Sequence, residues 1–436
     1  MSEVFVHVDL EGTQHLVGRL WTRSRKGRES ASFEYDRTWL SSGHRFALEP
    51  ALTLGKGSFH TRHSEPLFGA MGDSAPDRWG RALMRRAERR RAERTGETSR
   101  SLTEKEFLLG VNDMARQGAL RFAEKKAGPY LTEPDDVPGM NIPPLVYLPR
   151  LLSASENIIN ETESDDDLFV LLAPGSSLGG ARPKASVLDK DGHLLIAKFP
   201  RHDDEYNIVL WEAVLLKLAG KAGIQTPDWR IEYVTERPVL LLRRFDRRAV
   251  NRVPYLSAMS MLGAQDGELH SYLEMVEALR QHGAEARTDT AALWRRIIYN
   301  VMASNTDDHL RNHGFLYQKQ AGWRLAPAFD LNPTPADVGP RMLTTAIDYG
   351  ANEASLELAL GVADHFGLSL DDARDIAHDV AQAVSTWRET AAQYRLPARE
   401  MERMSSAFEH RDLRNALTLP VVSPNQSLSV KRNPPD

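Results

Sequence analysis

The chain contains no cysteine anywhere in its 436 residues. That excludes disulfides, thiolate metal centres and a cysteine nucleophile, and it agrees with a reducing compartment. Long apolar runs are also missing. None approaches the roughly 18 residues that a spanning helix needs, so no membrane role is expected. The first residues, MSEVFVHVDLEG, carry acids and no apolar segment, so they do not read as a signal peptide, and the expected location is the cytoplasm. Nor is there an excess of positive charge. A net charge of −5 argues against the chain as a whole gripping nucleic acid by electrostatics. There is no internal repeat. Apolar residues at 41% and charged residues at 26% describe an ordinary globular protein, long enough for two or three domains.

What is present concentrates between Asn305 and Asn332: NTDDHLRNHGFLYQKQAGWRLAPAFDLN. Asp307 stands five residues before Asn312, and Asp330 follows eighteen after that. A hairpin pattern lies between them, His313 to Tyr317 and Trp323 to Ala328, turning at a polar stretch that contains Gly322. An acid, an amide five on, and a second acid after a hairpin make the layout of a phosphotransfer site. The first acid can accept a hydroxyl proton, while the amide and the second acid can hold magnesium against ATP phosphates. Protein kinases use the same Asp-x-x-x-x-Asn interval. Alone the interval is weak, because loops collect Asp and Asn as turn and cap residues.

A second piece upstream, in the right order, strengthens it. Ser176 to Lys184 reads SSLGGARPK, and Lys198 follows. Gly179 and Gly180 permit backbone geometry that turns amide N–H groups toward a phosphate. Lys184 to Asp189 reads as a strand, Asp191-Gly192 as a hairpin turn, and His193 to Phe199 as the return strand. Lys198 therefore sits where kinases keep the lysine that grips ATP phosphates. A solvated lysine after a glycine-rich turn is the bland alternative. A helix is expected over Asn207 to Ala222, and Glu212 on it is placed to pair with Lys198, with Glu205 as the rival. Val239 to Leu242 reads as a buried strand leading into Arg243, Arg244 and Phe245.

These stretches, with NTDDHLRNHGFL, APAFDLNP, GDSAPDRWGR near the N-terminus and RRFDR at Arg243 to Arg247, strongly resemble the HipA family. Its members are bacterial serine/threonine protein kinases that act as toxins of type II toxin–antitoxin pairs. The resemblance runs from about Val4 to Thr418 and implies an α+β, bilobal protein-kinase-like fold with a mostly helical C-lobe and an N-terminal α/β accessory domain. It implies ATP and Mg²⁺ as cofactors. Ser177, Gly179, Gly180, Ala181, Lys184, Lys198, Glu212, Arg243 and Phe245 would meet ATP, the hinge around Arg243 to Phe245 through its backbone. Asn312 and Asp330 would hold the metal, and Asp307 would be the catalytic base. Inhibitory autophosphorylation would fall on Ser177 or the adjacent Ser176, where a dianion would repel ATP phosphates. The implied partners are a protein substrate, such as an aminoacyl-tRNA synthetase, and a HipB-like helix-turn-helix antitoxin that makes most of any operator DNA contact. A small-molecule kinase and a catalytically silent partner of a DNA-binding repressor stay open as alternatives. Two departures from ordinary kinases agree with the family: no glycine follows Phe329-Asp330, and no His-Arg precedes Asp307.

The expected organisation is an accessory domain over 1–126, a proline-rich linker over 127–144, an N-lobe over 145–247, a helical C-lobe over 248–418 and a disordered tail over 419–436. Three features call for plain readings. His309 and His313 are spaced as a helical metal pair, yet lack the glutamate of a zinc motif, and a core or supporting role suits them better. The arginine-rich run Arg81 to Arg94 suits a solvated helix of paired charges better than a nucleic-acid patch. Trp79 reads as packing between the N-terminal part and the kinase-like core.

Overall fold

The computed structural model describes residues 2–25, 27–62, 65–130, 142–172, 180–249 and 251–420. Most of the expected linker, and the tail from 421 on, lie outside the described residues.

The N-terminal part is built on a five-stranded antiparallel sheet in the order Ser58–His60, Arg28–Tyr35, Thr13–Arg25, Ser2–Leu10, Leu120–Ala123. Strict alternation makes the Ser2–Leu10 strand: Val4, Val6 and Val8 point inward and are fully buried. The long helix Arg78–Thr95 starts on Asp77, whose carboxylate accepts from the Gly80 amide. It stops at Gly96, which takes the left-handed conformation that glycine tolerates. Several of its arginines are spent on pairing: Arg81 with Glu104, Arg86 with Glu163, Arg90 with Glu93, and Arg91 with Glu88 and Glu97.

A second, four-stranded antiparallel sheet follows in the order Lys184–Leu188, Leu194–Lys198, Arg237–Arg243, Trp229–Val234. One face packs on the helices Leu148–Ile159 and Asp165–Leu172 through Ala185, Val187, Leu195, Ala197 and Leu241. Leu240 and Leu242, on the other face, join the main core with helix Ile208–Lys221. That helix is apolar around nearly its whole circumference, so it becomes an interior element.

The remainder is mostly helical around the buried helix Ala286–Ala303. A small sheet interrupts it, Tyr255–Ser257 beside Gly314–Tyr317 beside Trp323–Leu325. Gly314 is required there, since a Cβ would lie 2.3 Å from the Tyr255 ring. The expected hairpin after Asn312 is thus present, pairing Phe315 with Leu325. Every sheet is antiparallel and the helices pack against or beside the sheets, so the fold is α+β and bilobal.

Candidate active site

Lys198 ends its strand directly opposite Lys184 on one neighbour and Leu240 on the other. Residues that face each other across paired strands share a face, so both lysines look toward helix Ile208–Lys221. That helix begins at Asn207, whose side chain caps the Leu210 amide, and it delivers Glu212 to the lysine. Lys198 Nζ donates to Glu212 Oε1 at 2.6 Å and to Asp330 Oδ1 at 2.7 Å. Glu205 instead pairs with Arg403 at the surface. Glu212 is the lone acid on an otherwise buried apolar stretch, which explains why it reaches the ammonium.

Asp330 has a φ of 59°, a left-handed conformation that Asp adopts more readily than most residues. Phe329 before it packs against Phe245, ring centroids 5.5 Å apart, which brings the hinge residue to this segment. Asn332 just after it donates its backbone N–H to Asn305.

Asp307 is exposed, and among the described residues its carboxylate has no hydrogen-bond or ion-pair partner. Asn312 is buried, with its Nδ2 donating to the Asp307 carbonyl at 3.0 Å. Asp308, next in sequence, turns the opposite way into the core. It accepts from the Tyr272 hydroxyl at 2.5 Å and Asn300 Nδ2 at 2.7 Å, and meets His313 Nε2 at 2.8 Å. This buried anchor fixes the turn that displays Asp307 and Asn312. The turn Leu310–Asn312 is a single 3-10 turn, so His309 and His313 do not share an α-helical face. His313 serves the core, as expected.

The charges sort themselves by environment. Burial works against the Lys198 ammonium, but Asp330 and Glu212 outweigh it and hold the lysine charged well above its ordinary range. Burial raises the Glu212 carboxyl despite Lys198. For Asp330 burial is outweighed by Lys198, so its carboxyl lies below the usual range. Burial also raises Asp307, against the pull of His309 and with help from the nearby charges of Asp330 and Asp308.

The structure thus gathers Lys198, Glu212, Asp330, Asp307, Asn312 and Phe245 around one cleft. Lys184 joins them at its edge, where Gly180 has a φ of 99° and Ala181 is exposed. Ser176, Ser177 and Gly179 lie outside the described residues. The contact expected of this hinge is through its backbone, and the side chain of Arg243 does not join. It faces Leu195, on the opposite side of the sheet from Lys198, and its guanidinium turns to Asp228 at 3.5 Å. Strand parity decides this: the register pairs Lys198 with Leu240, and three residues on the side chain points the other way.

Fold and cleft define a protein of the bilobal, kinase-like class. Residues 176–387 match the model of the HipA-like C-terminal domain family. The chain is 25% identical to Y4mE, a kinase candidate of Sinorhizobium fredii (strain NBRC 101917 / NGR234), over 75% of this chain and 77% of that protein. It is 24% identical to a kinase candidate of Haemophilus influenzae over 47% of this chain and 68% of the relative. Among solved structures it shares the fold of HipA from a Shewanella oneidensis MR-1 toxin–antitoxin system, determined with HipB and its operator DNA. That match has a TM-score of 0.64 at 16% identity and covers 95% of this chain and 96% of that one.

Proposed function

We propose that this protein is an ATP- and Mg²⁺-dependent serine/threonine protein kinase that works as the toxin of a toxin–antitoxin pair. The observation that carries the reading is Lys198 shared between Glu212 and Asp330, with the exposed carboxylate of Asp307 across the cleft. Lys198 would hold ATP phosphates, its charge fixed and its ammonium oriented by Glu212. Asp307, raised toward neutrality yet open to the cleft, would take the substrate hydroxyl proton. Its position on a rigidly anchored turn would supply the alignment from which most of the rate gain in phosphoryl transfer derives.

The donors suit magnesium. Asp330 is a depressed carboxylate, and Asn312 commits its Nδ2 to the Asp307 carbonyl, which leaves its amide oxygen as the ligand. Both are the hard oxygen donors that Mg²⁺ takes. When bound, the ion would neutralise charge on the phosphates being transferred.

The toxin assignment draws on the likeness to HipA of Shewanella oneidensis, which was solved with HipB and operator DNA. A HipB-like antitoxin would be this protein's partner, and operator DNA would be met mainly through it. That fits a net charge of −5 and an arginine-rich helix in which Arg81, Arg86, Arg90 and Arg91 are ion-paired within the protein. The protein target would be a cellular protein such as an aminoacyl-tRNA synthetase, and phosphorylation of Ser177 or Ser176 would shut the enzyme off. Among the described residues no helix is long and apolar enough to cross a membrane.

The test is incubation with labelled ATP and Mg²⁺, beside Asp307→Ala, with phosphosites mapped. Label on Ser177 or Ser176 that vanishes in Asp307→Ala is expected. ATP binding without labelling of this or any added protein would sink the protein-kinase reading.

A further inference from the structure

Lys184 is buried at the rim of the cleft, and one of its partners comes from the N-terminal part of the chain. Its Nζ donates to Asp77 Oδ2 at 2.8 Å across 107 residues of sequence. The contact belongs to a set. Trp79 Nε1 donates to the Lys184 carbonyl at 3.0 Å, and the Trp79 amide donates to the Gly180 carbonyl at 3.3 Å. A Cβ added to Gly180 would lie 3.4 Å from the Lys184 ammonium, so lysine and loop end are in close apposition. The short turn Pro76 to Trp79 therefore clamps the first described residue of the glycine-rich loop, the first residue of the strand that follows it and that residue's charge.

We propose that Asp77 is a positioning residue for the nucleotide cleft: it sets the Lys184 ammonium and, with Trp79, the exit of the glycine-rich loop, so that the N-terminal part completes the phosphate-binding edge. The inference rests on the kinase reading for its meaning, but not for its geometry. Lys184 and Lys198 stand opposite each other on adjacent strands, and both point toward two acids, Glu212 and Asp330. The Lys184 charge is close enough to bear on both acids. Asp77 draws the second ammonium to its own carboxylate, beside the acids that orient Lys198. Arg78, the next residue, is near enough to Asp307 and Asp266 for its charge to lower both. The same turn thus reaches from the loop to the catalytic side of the cleft.

The test compares the full chain with Asp77→Asn, Lys184→Met and the double variant. Asparagine still caps the Gly80 amide, so the helix start survives and only the charge is lost. Amide exchange over Gly180 to Leu188 is followed by mass spectrometry, with the strand Thr13–Arg25 as internal control. Affinity for ATP with Mg²⁺ is read by titration. Asp77→Asn is expected to speed exchange at Gly180 to Lys184 alone and to weaken ATP binding about tenfold, as loss of one charge-assisted hydrogen bond would. Adding it to Lys184→Met should cost nothing more. Unchanged exchange at Gly180 to Lys184, or fully additive losses in the double variant, would overturn the inference. If the wild-type protein binds no ATP, the kinase reading falls, and the exchange data alone decide the role of Asp77.

Discussion

Two clusters of charge flank the cleft, made from the same kinds of residue and put to opposite uses. Behind it, Asp246 takes Arg244 at 2.5 and 2.7 Å, Arg247 at 2.8 Å and the Gly118 amide at 2.7 Å. The remaining guanidinium donors end on the carbonyls of Met114, Ala115, Arg116 and Gly118, in the N-terminal part. Close by, Asp113 binds Arg121 and Arg252. Each acid there is met by at least two cations. In front, one lysine is divided between Glu212 and Asp330, while Asp307 forms no ion pair among the described residues. Saturated charge makes a joint; under-neutralised charge makes a place where a ligand can complete the set. Burial would raise Asp246, but Arg244 and Arg247 outweigh it and hold the carboxyl far below its ordinary value.

The comparison breaks most severely at the joint. Asp246→Ala strands two buried guanidiniums and should cost about 3–5 kcal/mol of stability, read as a lowered urea midpoint. A loss under about 1 kcal/mol would mean that the carbonyls alone suffice. Because the Asp246 carboxyl is depressed, its contribution is complete above the unfolded aspartate value and fades only as the pH falls toward its folded value. Lys198→Met tests the other cluster. Phosphate transfer should drop by about two to three orders of magnitude, with the melting temperature little changed. A collapse of the fold instead would make Lys198 a second joint.

Asp308→Asn probes a residue between the two kinds. It belongs to the loop that displays Asp307, yet its surroundings are as saturated as those of Asp246. A loss of about 1–3 kcal/mol is expected on denaturation, from weakened contacts to Tyr272 and His313. The smallest effect lies in the pH profile. Asp307 must be ionised to accept a proton, so activity falls as pH drops through its raised pKa, at a higher pH than an ordinary aspartate would give. Removing the neighbouring charge in Asp308→Asn should move that acid limb to lower pH. A limb that stays put or moves up would separate Asp307 from the titration.

Local periodicity carried the sequence reading a long way. The Asp191-Gly192 turn, the Lys198 strand, the helix that bears Glu212 and the hairpin after Asn312 are short-range features, and each appears close to its expected bounds, the second hairpin strand ending three residues early at Leu325. The choice of Glu212 over Glu205 also agrees with the geometry, since the helix offers Lys198 only that acid. Long-range pairing was illegible. Nothing in Asp77 announces a lysine 107 positions away, and RRFDR shows charges without showing that the N-terminal carbonyls complete them. Asp308 adjoins Asp307 in sequence, and only the fold reveals that the two side chains point in opposite directions. The direction of the Arg243 side chain was likewise illegible without the strand register, and it leaves the expected backbone contact of the hinge untouched.

The joint behind the cleft also bears on how such genes can be shuffled. Contacts from Arg244 and Arg247 to carbonyls would survive exchange of the N-terminal part for a relative's, since every residue offers a carbonyl. The pair of Asp113 with Arg252, and the clasp of Asp77 on Lys184, would not. A chimaera with its crossover at 127–144 inherits one half of each pair from each parent. Only parents whose charges match at these positions should yield viable offspring, so the two parts of this protein are heritable as a unit even though the chain between them looks like a natural place to cut.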